Sequence, residues 1–330
     1  MNNLNKLKLD LENLIDPSLN ETFKEAGSIL SFSLDGEVID LKIQLKNKRR
    51  DEENIKLEVA RLVKITHEFK GLRIDILSSK YKGSKKEPIY LGIISGKGGV
   101  GKSTVAANLA ISLTRLNQKV GIIDADIYGS SLPSIFKIPI KPLDTDDNDL
   151  IIPALYNDIE IVSPEFFMPE NQPLMWRGPM LGKLLEHFFD SVSWNPDLDF
   201  IIIDLPPGTG DIQLDIKDFV PEALMLLVTT PHPNASHVAL KAGLGAKEIG
   251  HQVIGVVENM SYYYNETTKE KEYIFGEGGG LKVSELLEVP LLMEIPLRKP
   301  LDNESYIYSL SDMNGKLFLA LAQQLLKYKG

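Results

Sequence analysis

Lys97, Lys102 and Ser103 fall in one glycine-rich run, Ile93-Ile94-Ser95-Gly96-Lys97-Gly98-Gly99-Val100-Gly101-Lys102-Ser103-Thr104, where an apolar stretch stops and a helical pattern begins. The run fits G-x-x-x-x-G-K-[ST], with Gly96, Gly101, Lys102 and Ser103 at the four fixed places. Residues without a Cβ let successive backbone N–H groups turn inward and approach an anion closely. The helix that follows presents its unpaired N-terminal N–H groups to the same anion. Such a cradle, residues 96–104, suits a triphosphate: Lys102 between the β- and γ-phosphates, and the Ser103 hydroxyl on Mg²⁺. Glycine-rich turns also occur as plain loops, but this one stands between a strand pattern and a helix pattern, as phosphate binding requires.

Two further stretches carry carboxylates. Asp124-Ala125-Asp126-Ile127-Tyr128-Gly129 follows an apolar run, and two carboxylates two residues apart at a strand end can orient water and magnesium. Phe200-Ile201-Ile202-Ile203-Asp204 is an apolar strand ending in Asp, the Walker B pattern, in which the carboxylate holds a magnesium-bound water. The turn after it, Leu205-Pro206-Pro207-Gly208, is stiffened by proline and leaves a free Gly208 N–H suited to sensing a γ-phosphate. A D-x-D pair can also be an ordinary turn, and a strand-end Asp can cap a helix.

The elements that must position these groups are legible as periodicities. Residues 1–77 read as a small α/β unit. A helix with Leu4, Leu7, Leu11, Leu14 and Ile15 on one face stops before Asp16-Pro17, and strands at 29–34 and 38–45 join at Asp35-Gly36. A helix over 52–65 and a strand at 72–77 complete the unit, and the basic run 46–51 reads as a solvated turn. Residues 78–88 are polar and glycine-containing, a flexible linker. From 89 to 330, strands at 119–123, 159–163, 200–204, 223–229, 253–258 and 291–295 alternate with helical patterns after the glycine-rich loop. Near-continuous Ile/Val/Leu strands indicate a mostly parallel sheet covered on both faces, hence a doubly wound α/β fold with the strand-end loops around one crevice.

Composition limits the function. Length, 43% hydrophobic and 25% charged residues describe an ordinary globular chain of one or two domains. No apolar run approaches the ~20 residues of a membrane span, and the first ten residues lack a signal-peptide core. A cytoplasmic location without a membrane partner is therefore expected. The net charge of −10 is uneven, since residues 89–330 hold 19 basic against 31 acidic side chains. A nucleic-acid binder would show a basic footprint, so no nucleic-acid partner is expected. The last helix, 317–326, is apolar on more than one side and reads as core packing. The chain has no cysteine, which excludes disulfides, thiolate nucleophiles and cysteine-held zinc or iron–sulfur sites.

The loop Gly96-Lys97-Gly98-Gly99-Val100-Gly101-Lys102-Ser103-Thr104 resembles the deviant Walker A loop of the MinD, ParA and nitrogenase iron-protein group. With Trp176-Arg177-Gly178-Pro179, Val228-Thr229-Thr230-Pro231, Asn259-Met260-Ser261-Tyr262, Tyr273-Ile274-Phe275-Gly276 and Glu294-Ile295-Pro296-Leu297, residues 89–330 resemble the Mrp/ApbC family of P-loop ATPases. The resemblance implies ATP and Mg²⁺ as ligands, slow hydrolysis, a homodimer, and the carriage of iron–sulfur clusters to apo-protein clients. It implies roles as well: Lys97 reaching the partner's phosphates, Asp126 positioning the attacking water, Asp124 supporting Mg²⁺ and Asn259 contacting adenine. Residues 1–77 are similar, more distantly, to the small iron–sulfur assembly domain that precedes many Mrp-type ATPases. The family's C-x-x-C falls here on Asn265 and Thr268, so direct cysteine ligation is excluded, which leaves two readings open: work with a cysteine-bearing scaffold partner, or a scaffold role alone. His232 and His237 are expected as capping or surface residues. A MinD/ParA-like positioning ATPase and a nucleotide-gated binding module remain alternatives.

Overall fold

The computed structural model describes residues 3–45, 48–78, 87–147, 149–167, 178–301 and 306–329. It divides into two compact units, Met1–Glu87 and Pro88–Gly330.

In the first unit, α1 (Asn3–Glu12), β1 (Ile29–Asp35), β2 (Val38–Leu45), α2 (Lys48–Arg61) and β3 (Gly71–Ser78) follow one another. The sheet order is β1-β2-β3, antiparallel across the Asp35-Gly36 hairpin and parallel between β2 and β3. Residues alternate along β2, so Ile39, Leu41, Ile43 and Leu45 turn inward to meet Leu7 and Leu11 of α1 and Val59 of α2. Burying each such aliphatic side chain stabilises the unit by about 1.5–3 kcal/mol. Two expectations change here. The helix α1 ends at Glu12 because the chain next forms a short antiparallel pairing of Ile15–Asp16 with Glu21–Thr22. The basic run placed in a turn instead opens α2 at Lys48, residues 46–47 lying outside the described residues. Asp51, near the start of that helix, is buried and accepts a hydrogen bond from Ser18 Oγ at 2.5 Å.

The second unit is built on β4 (Ile89–Ser95), α3 (Lys102–Arg115), β5 (Val120–Asp124), β6 (Ala154–Tyr156), β7 (Ile159–Val162), α4 (Gly178–Asp190) and β8 (Phe200–Asp204). It continues through α5 (Asp211–Phe219), β9 (Leu224–Thr229), α6 (Pro233–Glu248), β10 (Gln252–Asn259), α7 (Gly279–Leu287), β11 (Leu291–Ile295) and α8 (Met313–Leu325). Eight strands form one sheet in the order β11-β10-β9-β4-β8-β5-β7-β6, parallel except for β6 at the edge. Successive strand residues face opposite layers. Leu91, Ile122 and Ile202 pack with α3 and α8, whereas Ile123, Ile201 and Ile203 pack with Leu184, Leu185 and Phe188 of α4 and with Ala239 and Ala242 of α6. Helix α8 lies on α3 through Phe318, Leu321 and Leu325, a core helix as its pattern requires. Among the described residues, no helix is long and apolar enough to cross a membrane.

Strand β8 is inserted between β4 and β5, and its register sets Asp204 level with Asp124 on one side and Ile93 on the other. The carboxyl ends of three neighbouring strands therefore open together.

Candidate functional site

The glycine-rich loop leaves β4 and enters α3 with Gly99 at φ +81° and Gly101 at φ +82°, backbone conformations that L side chains rarely adopt. Gly101 is also crowded, since a Cβ there would stand 2.3 Å from Asn259 Nδ2. At Gly96 a Cβ would meet the Val238 backbone of α6 at 2.2 Å, so the loop is clamped between α6 and the end of β10. Asn259 contributes to the clamp by donating Nδ2 to the Val100 carbonyl at 2.9 Å. Gly101→Ala is accordingly expected to cost about 1–3 kcal/mol of thermal stability, through strain at positive φ and displacement of Asn259. An unchanged melting temperature would count against that strain.

Lys102 turns inward and is 6% exposed. Its Nζ lies 2.6 Å from Asp204 Oδ1 and 3.3 Å from Asp126 Oδ2, so the lysine, the strand-end aspartate and the second aspartate of D-x-D share one spot. Asp124 stands beside them, fully buried. Its Oδ2 accepts from Ser163 Oγ at 3.0 Å and, at longer range, from the backbone N–H groups of Ser131 and Leu132. Burial, then the neighbouring Asp204 charge, pushes the Asp124 carboxyl up to about 8, against the lowering influence of Ser163 and Lys102. Burial likewise raises the Asp204 carboxyl, opposed by Lys102 and by the nearby Ser103 hydroxyl.

Asp124 Oδ1 and Asp204 Oδ2 are buried without a hydrogen bond of good geometry. Orphaned carboxylate oxygens beside a helix-start hydroxyl are a donor set for a hard divalent cation. Among the described residues, no three His, Asp or Glu side chains converge to cage a metal by themselves. That fits Mg²⁺, which keeps several waters and binds through one or two carboxylates plus substrate phosphates.

Ser103 and Thr104 occupy the first turn of α3. Lys97, Gly98 and Gly99 are exposed on the outer side of the loop, in an open cleft completed by Val100, Thr230, His232, Met260 and Phe275. Gly208 differs from expectation. Its N–H is committed to the Ser95 carbonyl at 2.7 Å, because Pro206-Pro207 folds the chain back along the end of β4. His232 caps α6 by accepting from Asn234 N, and His237 is exposed. Trp176 and Arg177 lie outside the described residues.

The short hairpin after β10 pairs Tyr263–Tyr264 with Lys271–Glu272. At its tip Asn265 Oδ1 accepts from the N–H groups of Thr267 and Thr268, and Asn265 Nδ2 donates to Glu272 Oε1 at 2.7 Å. Sequence reasoning missed this turn closure, because Asn265 registered there only as a missing ligand. An Asx residue two or three positions before free amides is the signal that could have found it. Another unforeseen group is Glu258, buried in β10, which accepts from Ser261 Oγ and from Gly280 N at the start of α7.

A doubly wound parallel sheet, a glycine-rich loop at the carboxyl end of a central strand and an inward lysine between strand-end aspartates define a P-loop nucleoside triphosphatase of the MinD/ParA type. Within that class, the chain belongs to the family described as ParA: NUBPL iron-transfer P-loop NTPase, matched over residues 88–315. It is 48% identical over 242 residues to the iron-sulfur cluster carrier protein of Bacillus subtilis, covering 72% of this chain and 68% of that one. It is 34% identical over 323 residues to the iron-sulfur cluster carrier protein of Mycobacterium tuberculosis H37Rv, covering 88% and 83%. Among solved structures, a nucleotide-binding protein from Archaeoglobus fulgidus in complex with ADP superposes with a TM-score of 0.55 at 30% identity, over 71% of this chain and 86% of that one. The septum site-determining protein MinD from Pyrococcus horikoshii, complexed with Mg-ADP, shares the fold at a TM-score of 0.54 and 22% identity, over 74% and 98%.

Proposed function

We propose that this protein is a Mg²⁺-dependent ATPase that hydrolyses ATP slowly, acts as a cytoplasmic homodimer, and serves in the delivery of iron–sulfur clusters to apo-proteins. The observation that carries the reading is the convergence of Lys102, Asp126 and Asp204 at the mouth of the glycine-rich loop. Residues 96–104 wrap the phosphates with backbone N–H groups, and Lys102 neutralises charge between the terminal two. Ser103, Asp124 and Asp204 would hold Mg²⁺, which when bound would supply charge neutralisation to the phosphates. Asp126, partly exposed and next to Lys102, orients the attacking water. Gly208 turns its N–H from Ser95 to the γ-phosphate, and Asn259 presents its carboxamide to the base.

Lys97 is exposed on the outer face of the loop, where a second copy can be reached. On the proposed reading it stabilises the partner's transferring phosphoryl. Lys97→Ala is expected to lower turnover by about 10²–10³-fold while ATP affinity changes little. Gel filtration checks the premise: an elution volume that ATP leaves at the monomer position would remove the basis for action in trans.

The cluster is cargo, and this chain offers it no cysteine. Iron–sulfur clusters take soft thiolate ligands, and the hairpin positions Asn265 and Thr268 are occupied with their own turn. A cysteine-bearing partner then supplies the ligands, while the ATPase supplies the nucleotide-driven change in affinity. In the same reading, residues 1–77 form an assembly-type domain, 78–88 a linker and 89–330 the ATPase domain. Anaerobic incubation with iron and sulfide tests the division of labour. The expected result is no retained iron or acid-labile sulfide in a preparation that still hydrolyses ATP; stoichiometric retention per dimer would overturn it.

A further inference from the structure

The turn after β8 is held by a side chain that touches neither the lysine nor the carboxylates of the site. Gln213, in the first turn of α5, is 4% exposed, and its Nε2 donates to the Gly208 carbonyl at 2.9 Å. Gly208 has φ +96°, and its own N–H donates to the Ser95 carbonyl. A residue without a Cβ does little to orient the peptides on either side of it, so the Ser95 bond holds the peptide before Gly208 and the Gln213 bond holds the peptide after it. Ser95 extends the connection, because its Oγ donates to the Lys97 carbonyl at 3.1 Å. On the other side α5 is anchored. His251 Nε2 lies 3.2 Å from the Gln213 carbonyl, and Lys217 Nζ donates to the carbonyls of Pro221 and Gly250 at 2.8 and 2.6 Å. Gln213 thus joins an anchored helix to Gly208, whose N–H is bonded to the last residue of β4, next to the glycine-rich loop.

We infer that Gln213 is a positioning residue for triphosphate recognition: by holding the Gly208 carbonyl it fixes the peptide after Gly208 and so the Cα pivot about which the preceding peptide, carrying the Gly208 N–H, turns from Ser95 to a terminal phosphate, and it thereby favours a nucleotide with that phosphate over one without. This rests on the proposed role of Gly208 as the γ-phosphate sensor. A diphosphate has no group for that N–H to meet, so its binding is independent of Gln213. A side chain that merely packed would affect both nucleotides alike.

The test is calorimetric titration of the full-length chain with Mg²⁺ and either ADP or the non-hydrolysable triphosphate AMP-PNP. The variants are Gln213→Met, which keeps the volume and removes the donor, and Gln213→Ala. Lys217→Met serves as comparison, because it loosens the far end of the same helix without touching Gly208. Both Gln213 variants are expected to bind the triphosphate about three- to tenfold more weakly, with ADP affinity within about twofold of wild type. Lys217→Met is expected to keep the wild-type preference. Equal weakening for both nucleotides, an unchanged preference in the Gln213 variants, or the same selective loss in Lys217→Met would overturn the inference. A wild-type protein that binds the two nucleotides equally would bring down the Gly208 role itself, and the inference with it.

Discussion

Replacing Lys102 by alanine is expected to weaken triphosphate binding by about 100-fold or more and, independently, to destabilise the protein by about 3–5 kcal/mol. The first effect follows from the proposed place of Lys102 between the terminal phosphates. The second follows from its surroundings in the structure: Lys102 is the cation beside Asp204 and Asp126, and its charge lowers the buried carboxyls of Asp124 and Asp204. Removing one partner of a buried pair leaves the other charge uncompensated. The stability loss also has a sign in pH. Without the ammonium, the Asp124 and Asp204 carboxyls rise further above the ordinary value near 4. An acid whose folded-state pKa is raised favours the folded form when protonated, and that advantage is lost as pH climbs through the raised value. The gap in melting temperature between variant and wild type should therefore stay level from about pH 5 to 7 and widen as pH climbs past about 8. A gap independent of pH would mean that Lys102 does not hold these carboxyls.

Asp126→Asn should reveal the opposite division, with ATP affinity within about threefold of wild type and turnover lower by about 10²–10⁴-fold. The loop survives the change because its closing hydrogen bond, from Gly129 N to the Asp126 carbonyl, belongs to the backbone. Lys102 keeps its shorter contact, to Asp204, so the phosphate-binding charge remains in place. Asn matches Asp in shape but is a poor acceptor for a proton from water, and the variant separates positioning from binding. Phosphate release followed under single-turnover conditions measures it directly. Turnover within threefold of wild type would remove Asp126 from the chemistry.

The parts of this molecule legible in its sequence are those that local physics specifies. The strands β4, β8 and β9 are near-continuous apolar runs, which a sheet covered on both faces demands, and the glycines of the phosphate loop mark where a Cβ could not fit. Strand order is another matter. Asp204 lies 102 residues from Lys102, and only the insertion of β8 between β4 and β5 brings the two within 2.6 Å. No local pattern encodes that insertion. The edge strand β6 escaped notice because three residues without alternation carry no periodic signal. The expected free N–H at Gly208 was occupied for a similar reason, since its acceptor, Ser95, belongs to a strand more than a hundred residues earlier.

The hairpin closed by Asn265 has a consequence for how the protein meets oxidants and chelators. Its tip is tied by amide and carboxylate hydrogen bonds, so the shape of this segment is written in groups that peroxide does not attack and that no chelator can strip. With no thiol anywhere in the chain, oxidation of this protein falls on its eight methionines, Met260 beside the glycine-rich loop among them, and a methionine sulfoxide can be reduced back.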